Sequence, residues 1–136
     1  MRVIFTDIDG VLNPHWKTTW CKKSINIYNK ICDEFDLKPV ITSTWRINHS
    51  KEELQNIFDK QGIYVDIYDY TPIIDQGDRG EEIIKWLGNN QVEDYVVIDD
   101  IIHNLTPYIN KNVIKVRNWI GLTTEEYLEI KKILGC

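Results

Sequence analysis

The chemistry open to this sequence is concentrated in four polar clusters, most of them directly after a run of apolar residues. The first is Asp7-Ile8-Asp9-Gly10, which follows Val3–Thr6. The second is Thr42-Ser43-Thr44-Trp45-Arg46, at the end of the run that begins at Val40. The third is Arg79, and the fourth is the pair Asp99-Asp100 after Tyr95–Ile98. Aspartates offer hard oxygen donors to a divalent cation and, when ionised, an oxygen nucleophile. Hydroxyls hydrogen-bond anions, and a guanidinium forks onto them with two parallel bonds. A lone Asp-x-Asp reads more readily as a solvated turn. This one ends an apolar run and is followed by Gly10, which tolerates the backbone of a tight loop. With a second acid pair brought to the same place, the carboxylates would repel strongly unless a cation neutralised them. The combination predicts a site for a hard cation such as Mg2+ among Asp7, Asp9, Asp99 and Asp100.

Those clusters need a scaffold that gathers them. Five β-type runs, Val3–Thr6, Val40–Thr42, Tyr64–Ile67, Tyr95–Ile98 and Val113–Val116, alternate with four helical patterns. The first, second and fourth runs are nearly continuously apolar, as parallel strands buried on both faces are. Between them, Ile25, Tyr28, Ile31, Cys32 and Phe35 recur at helical spacing. Ser50 with Glu53, Asp78 with Glu81, and Thr123 with Glu126 have the spacing of capping boxes. Gly62 and Gly88 stand where helices stop. The alternation predicts one domain over residues 1–136, a three-layer α/β/α sandwich around a mainly parallel sheet. Ligands of such sheets bind at the carboxyl ends of the strands, where these clusters fall.

The segments Asp7–Asn13 (DIDGVLN), Ile41–Arg46 (ITSTWR), Arg79–Ile83 (RGEEI) and Val96–Asp100 (VVIDD) stand in the order of the haloacid-dehalogenase-like (HAD) superfamily, which the chain resembles. It is most similar to the compact, capless branch associated with RNA repair proteins, and Thr71-Pro72 and Gly121-Leu122-Thr123 extend the likeness over nearly the whole length. The resemblance implies a Rossmann-type fold and a magnesium-dependent phosphatase. Asp7 would be the nucleophile and Asp9 the general acid and base, with Mg2+ held by Asp7, the Asp9 carbonyl, Asp99 and Asp100. Ser43, with Thr42 as the alternative, would hydrogen-bond the phosphate. Arg79, with Lys85 in reserve, would stabilise its charge. Thr44, Trp45 and Arg46 are expected to contact substrate, Arg46 as a second phosphate clamp or else as an ion-pair residue. Many relatives carry a further acid where this chain has Asn104, so metal ligation rests on Asp99 and Asp100, with Asp100 the expected direct ligand.

The remaining polar and aromatic residues give weaker signals. His15, His49 and His103 are too scattered for a triad or zinc site. Trp16, Trp20 and Trp45 flank the motif loops, where they either pack or stack a nucleobase. Cys21, Cys32 and Cys136 show no paired spacing and read as reduced thiols of an intracellular, cytoplasmic protein. Neither a signal-peptide pattern nor a membrane-length apolar run is present.

Length and charge narrow the partners. With 136 residues, Asn13–Lys23 provides only a flap and Asn48–Gly77 one helix and one strand, so a cap domain has no room. A net charge of −5 disfavours an extended nucleic-acid-binding surface but not the end of a phosphorylated strand or a nucleotide. Two other readings are a non-catalytic magnesium- or phosphate-binding module and a phosphotransferase to an acceptor other than water. A phospho-accepting receiver domain is disfavoured, because its acids follow different strands.

Overall fold

The computed structural model describes residues 1–135, so Cys136 lies outside the described residues. Five strands form one sheet: β1 (Arg2–Thr6), β2 (Leu37–Ile41), β3 (Asp69–Tyr70), β4 (Asp94–Asp99) and β5 (Val113–Lys115). Their order is β3-β2-β1-β4-β5, and every pairing is parallel. The helices are α1 (Lys22–Glu34), α2 (Trp45–Asn48), α3 (Lys51–Gln61), α4 (Arg79–Gly88) and α5 (Thr124–Leu134). This is the expected α/β sandwich of Rossmann type.

Alternate strand residues feed two separate cores, which is why the central runs are apolar without a break. Ile4, Ile41, Val96 and Ile98 face α1, α3 and α5, where Tyr28, Phe58 and Ile130 are fully enclosed. Val3, Phe5, Val40 and Val97 face α4 and the segment after β4, packing on Ile83, Trp86 and Leu105. Phe5 meets the Trp86 ring edge-on at 5.5 Å between centroids.

The helix signals take physical form at their ends. Ser50 with Glu53, Asp78 with Glu81 and Thr123 with Glu126 each close a capping box that satisfies first-turn N–H groups. Gly62 ends α3 in the left-handed region, at φ +92°. Gly88 is the last residue of α4, and the cap is Asn89. The motif-two stretch adds a short helix, α2, that its polar residues did not announce.

The third strand is corrected. Tyr64–Ile67 is not a strand, and pairing with β2 begins only at Asp69. Side chains take the backbone N–H groups of the expected run: Asn29 Oδ1 accepts from Tyr64 and Gln55 Oε1 from Ile67. Tyr64 is 86% exposed, so its alternation with buried Ile63 and Ile67 reflects an extended loop at the sheet edge.

The strand order reverses at β1, with β2 on one side and β4 on the other. This switch point opens a crevice at the carboxyl ends of β1 and β4. Among the described residues, the connection from β1 to α1 has no regular element beyond an isolated bridge between Asp9 and Asn13, so it supplies no cap over the crevice. Among the described residues, no helix is long and apolar enough to cross a membrane.

Candidate active site

Asp7 is the first residue after β1, and its N–H donates to the Ile98 carbonyl of β4. The ladder thus continues one step past the strand and fixes where the side chain leaves the sheet. Behind it the loop turns tightly: Val11, Leu12 and Asn13 all donate to the Ile8 carbonyl. Gly10 sits in the turn at φ +84°, and a Cβ there would run into the Asp100 carboxylate. Glycine is therefore required both by the backbone and by the approach of the acid pair.

Carboxylate oxygens of Asp7, Asp99 and Asp100 lie within 4.8 Å of one another. Asp99 is fully buried, Asp7 nearly so, and Asp100 half-buried. Arg79, the first residue of α4, reaches across the crevice, its Nη1 standing 2.7 Å from Asp99 Oδ2 and 3.3 Å from Asp7 Oδ1. Two contacts hold α4 in that position. Gly80 donates its N–H to the Asn104 carbonyl, and its missing side chain leaves room for the Leu105 carbonyl, 2.9 Å from where a Cβ would sit.

Burial, and then the Asp99 carboxylate, push the Asp7 pKa well above the usual carboxylate range against the opposing pull of Arg79. Burial also raises Asp100, with Asp99 adding to it. Burial by itself would lower the Arg79 pKa, but Asp7 and Asp99 outweigh it and the net direction is up. Three carboxylates against one guanidinium leave a negative centre built of oxygen donors, the donor set a hard divalent cation such as Mg2+ takes. Asp99 is also committed to Arg79 and to the Ile101 N–H.

The Asp9 carboxylate stands outside this cluster. Its Oδ2 accepts a 3.0 Å bond from the indole N–H of Trp45. The Trp45 ring stacks on His49 at 5.2 Å and meets the edge of Trp20 at 5.4 Å, so the indole that holds Asp9 is itself held. The two aspartates of the first loop therefore have different partners.

Over residues 3–127 the chain matches the family described as "HAD domain in Swiss Army Knife RNA repair proteins". The chain belongs to this family. As a HAD-like domain it falls in a hydrolase superfamily of phosphatase type, on its capless, RNA-repair branch. Neither the curated proteins nor the solved structures contain a match.

Within this HAD domain, the motif-two residues lie next to Asp7 at the end of β2. Ser43 Oγ accepts the Trp45 N–H at 3.2 Å, which leaves its own proton to donate. Thr42 Oγ1 is buried with no partner among the described residues. Thr44 is exposed at the head of α2. Lys85 is exposed on α4 and makes no ion pair among the described residues, whereas Arg79 makes two. His103 is exposed, and the Asn104 side-chain oxygen is buried without a partner among the described residues.

Arg46 is turned inward. Its guanidinium pairs with Glu82 at 2.8 Å and donates to the carbonyls of Thr42, Ser43 and Thr71 at 2.7–3.1 Å. The side chain is 3% exposed, and these bonds occupy the fork that a phosphate would need. Glu82, unassigned from the sequence, accepts from Arg46 and from the Ile74 N–H. One signal could have found it: an acid among the apolar positions of an amphipathic helix, beside Ile83 and Trp86.

Proposed function

We propose that this domain is a magnesium-dependent phosphomonoesterase that acts through an aspartyl-phosphate on Asp7, on phosphorylated nucleic-acid ends or nucleotides. One observation carries the reading: Asp7 lies in the carboxylate cluster under Arg79, while Asp9, two residues on, is held apart by Trp45. A nucleophile and a separate proton carrier on one loop are what a two-step phosphoryl transfer needs.

In the first step a carboxylate oxygen of Asp7 attacks phosphorus, the bond from phosphorus to the ester oxygen breaks, and Asp9 gives that oxygen its proton. In the second, Asp9 takes a proton from water as the water oxygen attacks phosphorus. The bond to Asp7 then breaks and inorganic phosphate leaves. Arg79 orients Asp7, opposes the burial that favours its protonated form, and spreads the charge of the phosphoryl oxygens. The Ser43 hydroxyl, or that of Thr42, donates to one of those oxygens. Asp7, Asp99 and Asp100, with the Asp9 carbonyl, would hold Mg2+, which supplies Lewis-acid stabilisation of the transferring group. Arg46 acts from behind by tying the Thr42 and Ser43 carbonyls to α4, as a positioning residue and not as a phosphate clamp. The uncapped crevice suits a large substrate.

The test is phosphate release from 3′- and 5′-phosphorylated oligonucleotides, mononucleotides, phosphopeptides and acetyl phosphate, with Mg2+ and with EDTA. Release that requires Mg2+ and is fastest from an oligonucleotide or nucleotide is expected. Fastest release from a phosphopeptide would overturn the substrate assignment. No release from any of them, with Mg2+ bound, would favour the binding module.

A further inference from the structure

Beside the carboxylate cluster runs an open groove of about 520 Å3 between the 13–20 flap and α3, with Asp9 and Trp45 in its wall. The mechanism above uses none of its other residues, among them Trp16, Lys17, Ile57 and Lys60. Since Asp9 protonates the leaving oxygen, the group attached to that oxygen must lie along this groove.

The groove is built rather than incidental. Asn13 closes the flap into a turn: its Nδ2 donates to the Lys17 carbonyl at 2.9 Å and its Oδ1 accepts the Lys17 N–H at 3.0 Å. Gln61 of α3 ties down the far end, accepting from the Trp20 N–H and donating to the Thr18 carbonyl. The turn holds Trp16 at φ +53°, a left-handed conformation that bulky residues rarely adopt, with 65% of its surface exposed. Core packing does not explain a strained tryptophan displayed to solvent; a ligand face does. Its neighbours are the apolar Ile57 and two exposed ammonium groups, Lys17 and Lys60, in a chain of net charge −5.

We infer that this groove is the leaving-group subsite and that it takes the terminal nucleotide of a single-stranded phosphorylated nucleic acid. The base stacks on Trp16, and Lys17 and Lys60 meet the next backbone phosphates. Aromatic faces interleaved with cations match an unpaired strand, whose bases have free faces and whose backbone is anionic. The inference rests on the phosphatase reading for its orientation, but the binding it predicts does not.

The experiment uses the Mg2+-loaded protein, its Trp16→Ala and Trp16→Phe variants, and the Lys17→Ala/Lys60→Ala double variant. Substrates are tetranucleotides phosphorylated at the 3′ or the 5′ end, and acetyl phosphate, which has no ring to stack. A dye-labelled tetranucleotide phosphate binding to Asp7→Asn protein provides the readout that does not need turnover. Trp16→Ala should lower the ratio of kcat/KM for the tetranucleotide to that for acetyl phosphate about tenfold or more. It should also weaken binding to Asp7→Asn protein by a similar factor, and Trp16→Phe should restore most of both. The double lysine variant should flatten the salt dependence of binding, by about 0.7 in log–log slope for each lysine. An unchanged ratio with unchanged binding would overturn the subsite while phosphatase activity stood. Equal losses on both substrates would overturn it as well. Groove-dependent binding without turnover of any substrate would sustain nucleotide binding in the groove but sink the phosphatase reading and with it the leaving-group role.

Discussion

Replacing the nucleophile should make the metal-free protein more stable. Asp7 faces the carboxylates of Asp99 and Asp100 with oxygens no more than 4.8 Å apart. At an effective dielectric constant of about 20, each such pair repels by ~3.5 kcal/mol. The Arg79 guanidinium, 3.3 Å away, returns ~5 kcal/mol of attraction on the same scale. The balance is unfavourable by ~2 kcal/mol before desolvation is added, and Asp7→Asn removes both signs of charge at nearly constant shape. Thermal unfolding in EDTA at pH 7.5 should therefore show Asp7→Asn about 1–3 kcal/mol more stable than wild type, a rise of several degrees in Tm. The sign with pH follows from the raised folded-state pKa of Asp7. The folded chain takes up the proton at a higher pH than the unfolded chain. The penalty is thus absent below the ordinary carboxylate range and grows as pH rises to the folded-state pKa, so the gap between the two proteins should close in acid. Saturating Mg2+ should stabilise wild type more than the variant, because it binds the folded state and offsets the same charge. An Asp7→Asn protein less stable than wild type in EDTA would refute the view that these acids await a cation.

Three further outcomes probe the surroundings of the site. Arg46→Ala should cost about 3–5 kcal/mol in urea unfolding because it leaves Glu82 buried and unpaired; a raised KM with unchanged stability would restore Arg46 as a phosphate clamp. Trp45→Phe keeps a ring but loses the bond to Asp9. It should lower kcat about tenfold, equivalent to ~1.4 kcal/mol, with little change in KM. In alkylation at pH 8, Cys21 should react well before Cys32. Burial opposes ionisation at Cys21, but hydrogen bonds from Ser24 and Lys23 at the start of α1 bring its pKa down on balance, whereas burial raises that of Cys32 to about 12. Equal rates, read by peptide mass mapping, would contradict this.

The sheet was legible because burial on both faces leaves no polar alternation in β1 and β4, and the capping pairs Ser50/Glu53, Asp78/Glu81 and Thr123/Glu126 marked three helix starts. The edge strand was not, because Tyr64–Ile67 has strand-like composition but spends its N–H groups on Asn29 and Gln55. Long-range side-chain bonds of this kind leave no local pattern. At the site, the acids and Arg79 could be placed because each ends a strand or starts a helix. The division of labour within a motif could not. Whether Arg46 points outward to a ligand or inward to Glu82 depends on a partner 36 residues away, and the hold of Trp45 on Asp9 spans the same distance. For Trp16 the sequence left packing and base stacking open, and its positive φ and exposure separate it from the buried Trp20.

The most direct test of the central claim compares Mg2+-dependent phosphate release by wild type and Asp7→Asn on the best substrate found, with both proteins shown to be folded. Wild type should release phosphate only with Mg2+, and Asp7→Asn should be slower by about a thousandfold or more, the scale on which losing a nucleophile acts. Release by Asp7→Asn within tenfold of wild type would show that the phosphoryl group never passes through Asp7.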